Sequence, residues 1–472
     1  MNMLIDERSH QERMNKLLIE ARIIAPEYPC KGESGWLPYG DSIANNLILM
    51  FAEKMRDIGF KEIALPSFVK GEIFLEQCNN IKDFRKRVYW SDPFKKNDMQ
   101  VVKPTIEAQI SALFARWIKE GRKGPYKYFT YRSIGRYETG RTLPLWKERI
   151  VWPFFEGHSM HIEDGDLEST IESQNKVLEE VYNLLGLPFF VIQRPKVNKR
   201  LQEYSERRLE TISITPYKRV VILSSIYDLG EIFSKVFSLK SKEGKYYPMV
   251  NFAFSGRLIG TIFSNFCDEY GLKLPSVIAP HHIRIVTIEN DSNSQKDYVE
   301  KIVKKFEDSS IRVNIDTSSN YFKEKISKAK TQGVPLIMLI GDKEVSTNSI
   351  TVLRRDTNQL SSLKTGEVVE SVKKYINNYD GSLKKWSEEM LSEVYTVCEE
   401  KDKLVEFAKE DKLIEVALCE EEDCFVKLAD IDDTEIIGSI VDKHRHKGQV
   451  CISCTKIARQ KLLLGKKWKG EK

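Results

Sequence analysis

R-S-I-G-R-Y-E-T-G-R-T-L-P-L-W-K-E-R-I-V-W-P-F-F-E-G-H-S-M-H, Arg132 to His161, is the stretch on which the reading of the chain turns. It predicts a strand, a loop, a second strand and the approach to a helix. Arg136 and Glu138 are two apart, so on a strand they share a face. The loop from Thr139 to Glu148 holds Gly140, Arg141, Pro144 and Lys147. The second strand is expected from near Arg149 into the aromatic run Trp152, Phe154, Phe155. Arginines on neighbouring antiparallel strands, joined by a basic loop, suit a polyphosphate lying on a sheet. A guanidinium keeps its charge and grips two oxygens at once. The plain alternative is a hairpin with a charged solvent face.

R-Y-E, then T-L-P-L, then a later Arg resembles motif 2 of class II aminoacyl-tRNA synthetases. It is similar in detail to the prolyl type of archaea and eukaryotes. That family has an Arg-x-Glu strand, a Pro-Leu loop, a second Arg and Glu-Ala/Gly-His. The matching residues are Arg136, Glu138, Pro144, Leu145, Arg149, Glu156, Gly157 and His158.

Length and composition agree with such an enzyme without requiring it. The chain has 472 residues, enough for about two to four domains. It is 41% hydrophobic and 30% charged, with net charge +5. That permits an RNA partner through local patches and does not demand one. No apolar run reaches the ~18 residues of a membrane span, and the N-terminus shows no signal-peptide core. A cytoplasmic protein with no membrane or DNA partner is expected.

Other segments extend the resemblance. G-W-L-P-Y-G (Gly35–Gly40), a helix from Asp41 to about Ile58 and the strand Lys61–Phe68 look like motif 1, which implies a homodimer. A plain helix packed on a sheet would read the same. V-V-K-P-T-I-E-A-Q (Val101–Gln109) keeps the Thr105 and Glu107 of the family's Arg-Pro-Thr-x-Glu, with Lys103 replacing the Arg. The resemblance gives that Thr and Glu to the substrate amino group. As plain sequence they are a helix cap and a first-turn acid. Glu203, Tyr204 and Thr211 are fragments of the proline-pocket segment. A strand from Val220 leads into Leu229, Gly230 and Phe233. There the family's Gln, Thr and His stand as Ile222, Ser225 and Tyr227. N-F-A-F-S-G-R-L-I-G (Asn251–Gly260) resembles motif 3 and keeps Arg257, with Ala253 for the usual Gly.

From Pro280 strands and helices alternate, resembling the class II anticodon-binding domain. Ala329 to Gln332 stand where the family has Trp-Glu-x-Lys, and Ile337 stands for an Arg. The replaced Glu (Lys330 here) and Arg are associated with reading the proline anticodon. The tail carries Cys419-x4-Cys424 and, 26 residues on, Cys451-x2-Cys454. Two close pairs suit tetrahedral Zn²⁺, with free thiols as the alternative. The family tail is similarly Cys-rich but ends in Tyr. This one runs on through Lys466, Lys467, Trp468 and Lys469.

The expected fold is therefore α+β. A class II antiparallel-sheet core (1–280) is followed by an α/β anticodon-binding-like domain (281–380) and a small zinc-binding-like domain (381–472). The resemblance implies ATP-dependent activation of proline, or a proline-like acid, and its transfer to tRNA. Arg136, Arg149 and Arg257 would be catalytic. With Glu138 and Ser225 they would bind ATP, and Mg²⁺ would bridge its phosphate oxygens. Thr105, Glu107, Arg136, Phe154, His158 and Tyr227 would bind the amino acid, and Cys419, Cys424, Cys451 and Cys454 the zinc. The family's second motif 2 Glu is Ile150. With Ile222 it removes a polar group from the nucleotide site. Two other readings stay open: a paralogue with another acid, tRNA or acceptor, and a non-catalytic tRNA-binding or regulatory protein.

Overall fold

The computed structural model describes residues 6–25, 30–78, 84–91, 99–162, 164–195, 204–288, 293–429, 431, 434–441 and 449–466. Glu203 and the run from Lys467 lie outside them. One sheet of 11 strands dominates. In chain order its strands are β1 (Lys61–Glu62), β2 (Tyr126–Tyr131), β3 (Phe154–Met160), β4 (Phe190–Gln193), β5 (Arg207–Ile214), β6 (Val220–Gly230), β7 (Met249–Ser255), β8 (Tyr395–Val397), β9 (Leu413–Leu418), β10 (Thr434–Ile440) and β11 (Gln460–Lys466). In space they run β8-β9-β11-β10-β4-β5-β6-β7-β3-β2-β1, antiparallel except at the two edge pairs.

Alternation along the strands gives the sheet two different faces. Phe155, Val250, Phe252 and Phe254 point to the back, where helix α1 (Pro38–Asp57) lies. Pro38 starts that helix, Asp41 sits in its first turn and Lys54 and Arg56 in its last, each favouring its own end. Its buried stripe Ile43, Leu47, Ile48, Phe51, Met55 faces the sheet, and Phe51 lies 4.3 Å from Phe254 between ring centroids. Helices α2 (Asp164–Leu184) and α3 (Arg257–Asn265) complete this layer. The front face is covered at one end by helix α4 (Glu107–Lys119), through Ile110 and Phe114. The rest of that face is the site.

Two expectations for the opening stretch need correction. The first strand is only Ile134–Gly135, so Arg136 and Glu138 do not share a strand. The expected second strand is broken at Trp152-Pro153. Ile150–Val151 pairs with Ile134–Gly135, and β3 then joins the main sheet. Proline lacks the N–H that a continuous ladder would need.

The α/β domain holds five strands in the order Val313–Ile315, Ile283–Thr287, Leu336–Ile340, Ser349–Arg354, Leu360–Lys364. The first three are parallel and the last two antiparallel additions. Ile337 is fully buried in this domain with Val286, Ala329 and Leu353. The domain meets the core at a tight seam. Arg355, also fully buried, donates to both carboxylate oxygens of Asp268 and to the carbonyls of Gly271 and Lys330. Gly271 has φ +136°, and a Cβ there would fall 2.3 Å from Thr331 Cα, so only glycine allows this approach. Lys330 lays its ammonium 4.8 Å from the Tyr270 ring centroid, on the core side.

Helix α5 (Val368–Val394) ties the parts together, and the boundary expected at 380 falls within it. Val368 and Val372 belong to the α/β core, Tyr379 and Leu383 to the main core, and Met390 and Val394 to the cluster under the tail. The tail strands β8–β11 then extend the main sheet through the pairing of Ile192 and Gln193 with Ile440 and Ser439.

Candidate active site

Register lines up two rows of side chains on the front face. One runs Arg208, Tyr227, Asn251, His158, Tyr128 across β5, β6, β7, β3 and β2. The next runs Glu210, Ser225, Ala253, Glu156, Thr130. Glu107, in the first turn of α4, enters from above.

Glu107, Glu156 and His158 are buried together, each offering a ligand atom within 4.8 Å of the others. Thr105 is not the helix cap. Ile106 takes that place, and the Thr105 hydroxyl bonds to Glu107 and, at 2.8 Å, to Glu156. Asn251 donates to Glu107 at 2.8 Å and lies 3.2 Å from His158 Nε2. Tyr204 also donates to Glu107. Burial, and then the Glu107 charge, push the Tyr204 phenol well above its ordinary range, so it keeps its proton. Glu156 Oε1 and His158 Nδ1 are buried without a protein partner. Two buried carboxylates, one with an oxygen that no protein group satisfies, can accept from a primary or secondary ammonium. Lys103 is buried nearby. Burial lowers its pKa and the Glu156 charge opposes that. Tyr227 packs edge-on to Tyr204 at 5.4 Å and under the Arg208 guanidinium at 5.0 Å.

Two of the three expected arginines, Arg136 and Arg149, lie on the motif 2 hairpin, and the third, Arg257, meets it from helix α3. Arg136 donates from Nε to Pro104 O at 3.0 Å and lies over Phe154 at 5.4 Å. Its backbone N–H reaches Arg149 O at 2.7 Å, and Arg149 Nε reaches Glu138 O at 3.2 Å. Arg257, the first residue of α3, reaches Trp146 O at 3.5 Å. Burial first, then the positive charges of Arg219 and Arg136, lower the Arg257 pKa, while Glu210 and Glu138 oppose. A guanidinium stays charged through such a shift, so the site is a region of positive potential awaiting anions.

Ser225 lies in the row between Glu210 and Ala253. Ile222 belongs to the apolar cluster with Ile192, Ile212 and Met390, beyond a bulge that skips Leu223. That residue serves the docking of the tail. Ile150 sits in the short hairpin strand beside Gly135. The motifs include Glu156 and Asn251 without giving either a role, and they offer Tyr204 only as a fragment of the proline-pocket segment. Period-2 alternation from His158 and Ala253 could have found the first two; Tyr204 arrives from a loop, where only the pocket-segment resemblance points to it.

Ser159, His161 and Asp166 imitate a nucleophilic triad, with 2.8 and 2.9 Å contacts. Ser159 and His161 are fully buried on the back face, beyond any substrate.

The four tail cysteines do converge. Their sulfurs lie within 4.8 Å of one another, with Cys419 and Cys454 3.6 Å apart, and none forms a disulfide. A tetrahedral ion with Zn–S bonds of about 2.3 Å needs sulfurs about 3.8 Å apart, so the set fits zinc.

Comparison with known proteins agrees with this geometry. The family described as "tRNA synthetase class II core domain (G, H, P, S and T)" matches residues 89–266, and "Anticodon binding domain" matches 282–375. A proline–tRNA ligase of Sulfurisphaera tokodaii is 27% identical over 98% of both chains, and one of Thermococcus kodakarensis 26% identical over 95% of both. Among solved structures, Giardia lamblia prolyl-tRNA synthetase in complex with prolyl-adenylate superposes with a TM-score of 0.86 at 23% identity, over 98% of both chains. That of Cryptosporidium parvum, complexed with L-proline and AMP, gives 0.84 at 20% identity, over 97% of this chain and 95% of that one. Among the described residues no helix is long and apolar enough to cross a membrane.

Proposed function

We propose, since the chain belongs to the class II tRNA synthetases, that it activates proline with ATP and transfers it to tRNA. The observation that carries this reading is the buried Glu107–Glu156–His158 receptor together with Arg136 and Arg149 on the hairpin and Arg257 at the start of α3, which contacts the hairpin at Trp146 O. The two N–H groups of proline's secondary ammonium would donate to Glu107 and to the free Glu156 Oε1, with the Thr105 hydroxyl bracing both carboxylates. Phe154, His158 and Tyr227 would shape the surrounding pocket. The carboxylate oxygen of proline attacks the α-phosphorus, the bond to the β-bridging oxygen breaks, and pyrophosphate leaves with the electron pair. Arg136 neutralises the attacking carboxylate and the α-phosphate, while Arg149 and Arg257 hold the β- and γ-phosphates. Such charges are fixed before the reaction and need no reorganisation during it. A ribose hydroxyl at the tRNA 3′ end then attacks the acyl carbon, losing its proton as AMP departs.

Mg²⁺ would enter with ATP and screen its charge. Glu138 is the candidate carboxylate, since its ion pair to Lys147 is long at 4.0 Å, whereas Glu210 is closely paired with both Arg194 and Arg208. One or two carboxylates plus phosphates suffice for that ion. Cys419, Cys424, Cys451 and Cys454 would hold a structural Zn²⁺ that fixes the tail. Metal analysis should find about one equivalent, lost in Cys451→Ser/Cys454→Ser. A cytoplasmic homodimer formed through the α1 region is part of the same proposal, and sedimentation tests the dimer.

ATP–pyrophosphate exchange across all amino acids tests the whole reading. Proline should support the fastest exchange; exchange with no amino acid would overturn it. Tyr227 and Asn251 favour a second reading, a pocket retuned for a proline-like acid. In that case Tyr227→His shifts relative exchange toward proline.

A further inference from the structure

Glu148 takes no part in the reaction above, yet it is only 6% exposed in the hairpin that carries Arg136 and Arg149. One carboxylate oxygen accepts the Ser34 hydroxyl at 2.5 Å, the other the Leu145 backbone N–H at 3.1 Å. Leu145 is buried in the main core with φ +67°, a left-handed conformation unusual for leucine. Its N–H would be orphaned in that position without an acceptor, which buried backbone rarely tolerates. Leu145 and Trp146 seat against Gly260 of α3, where a Cβ would meet both at 3.2 Å.

The arginines hang from this seat. Trp146 O accepts Arg257, Arg149 N–H donates to Gly32 O at 2.7 Å, and Arg149 O accepts the Arg136 N–H. Gly32, at φ +79°, lies so close beneath the loop that a Cβ would fall 2.7 Å from Thr142 Cγ2. The segment holding Gly32 and Ser34 is therefore a strap under the hairpin, and Glu148 is its buckle.

We propose that Glu148 is a positioning residue for ATP: braced by Ser34, it holds Leu145 in place and so sets the three phosphate-binding arginines. Burial pushes its carboxyl up to about 7, and no charged neighbour contributes to that shift. It acts as a hydrogen-bonding brace, so a neutral amide can replace it. In Glu148→Gln the amide oxygen would accept from Leu145 N–H and the amide nitrogen would donate to Ser34 Oγ.

The inference rests on the ATP-dependent reading, so the test separates the two. ATP–pyrophosphate exchange by the full chain is compared among wild type, Glu148→Ala, Glu148→Gln and Ser34→Ala, alongside equilibrium binding of a fluorescent ATP analogue. Glu148→Ala should raise KM for ATP, and the analogue Kd, by about tenfold or more, with KM for proline within about twofold. Glu148→Gln should stay within about twofold of wild type, and Ser34→Ala should weaken ATP about threefold. An unchanged ATP affinity in Glu148→Ala, an equal rise in KM for proline, or a failure of glutamine to rescue would each overturn it. If Glu148→Ala does not fold, Ser34→Ala decides, and unchanged ATP affinity there overturns the proposal. If wild type exchanges with no amino acid, the function is wrong, and the analogue Kd values alone judge the brace.

Discussion

Arg355 at the domain seam and Arg136 on the hairpin are both guanidiniums placed by backbone carbonyls, but their surroundings differ. Arg355 is fully buried and locked to Asp268 by two hydrogen bonds, with Gly271 and Lys330 carbonyls filling its other directions. Arg136 is steadied by Pro104 O and the Phe154 ring. Neither it, Arg149 nor Arg257 has a carboxylate within salt-bridge distance among the described residues. A cation whose partner is part of the fold stabilises the fold. A cation held in place without a partner is kept for a charge that arrives later.

The comparison breaks most visibly at the seam. Arg355→Met should cost roughly 3–5 kcal/mol of stability, because it leaves Asp268 without its buried partner. Denaturant midpoints measure that loss. Exchange per folded molecule, below the melting range, should hardly change. A large exchange defect in fully folded Arg355→Met would erase the distinction.

Arg136→Ala should do the reverse. Exchange falls by about 10²–10³, while stability stays within about 1 kcal/mol of wild type. Equal losses in both assays would make Arg136 another structural cation.

Acid sharpens the seam alone. Burial by itself would raise the Asp268 pKa, but the Arg355 hydrogen bonds and charge overcome this and hold it at about 2. A carboxyl lowered on folding stabilises fully above its unfolded pKa near 4, and that contribution is lost as pH falls toward 2. Unfolding midpoints taken from pH 6 to pH 2 should therefore drop more steeply in wild type than in Asp268→Asn. Parallel curves would refute the assignment.

The smallest effect concerns tRNA. Ile337 is buried in the α/β core and has no polar group to offer a base edge, and Lys330 is held over Tyr270 on the core side. Anticodon substitution in a proline tRNA should slow charging by no more than about tenfold, the scale of one lost hydrogen bond. A much larger loss would show that other residues of the domain do the reading.

What was legible in the sequence follows from range. Helix α1, the alternation of the α/β domain and the four cysteines are set by local period and spacing, and each was readable. The three arginines were readable because they lie at fixed offsets within motifs. Tyr204 on Glu107, Asn251 between Glu107 and His158, and Glu148 on Ser34 were not, since each joins residues distant in sequence or in different elements. A bulge at Leu223 brings Ile222 opposite Ile212, onto the face of Glu210 and Ser225, where it packs with Ile192 and Met390, and residue spacing alone cannot reveal that register.

The continuity of the main sheet bears on how the chain is made. β4 leaves the ribosome early, and β10, which covers its open edge, follows only after the entire α/β domain. Until then the nascent core presents an unpaired strand edge beside Ile192, Ile212 and Ile222, a surface prone to joining another chain. A C-terminal truncation before β10 would leave that edge bare for good. The tail is thus expected to guard the core against aggregation, since strands synthesised after the α/β domain cover an edge made before it.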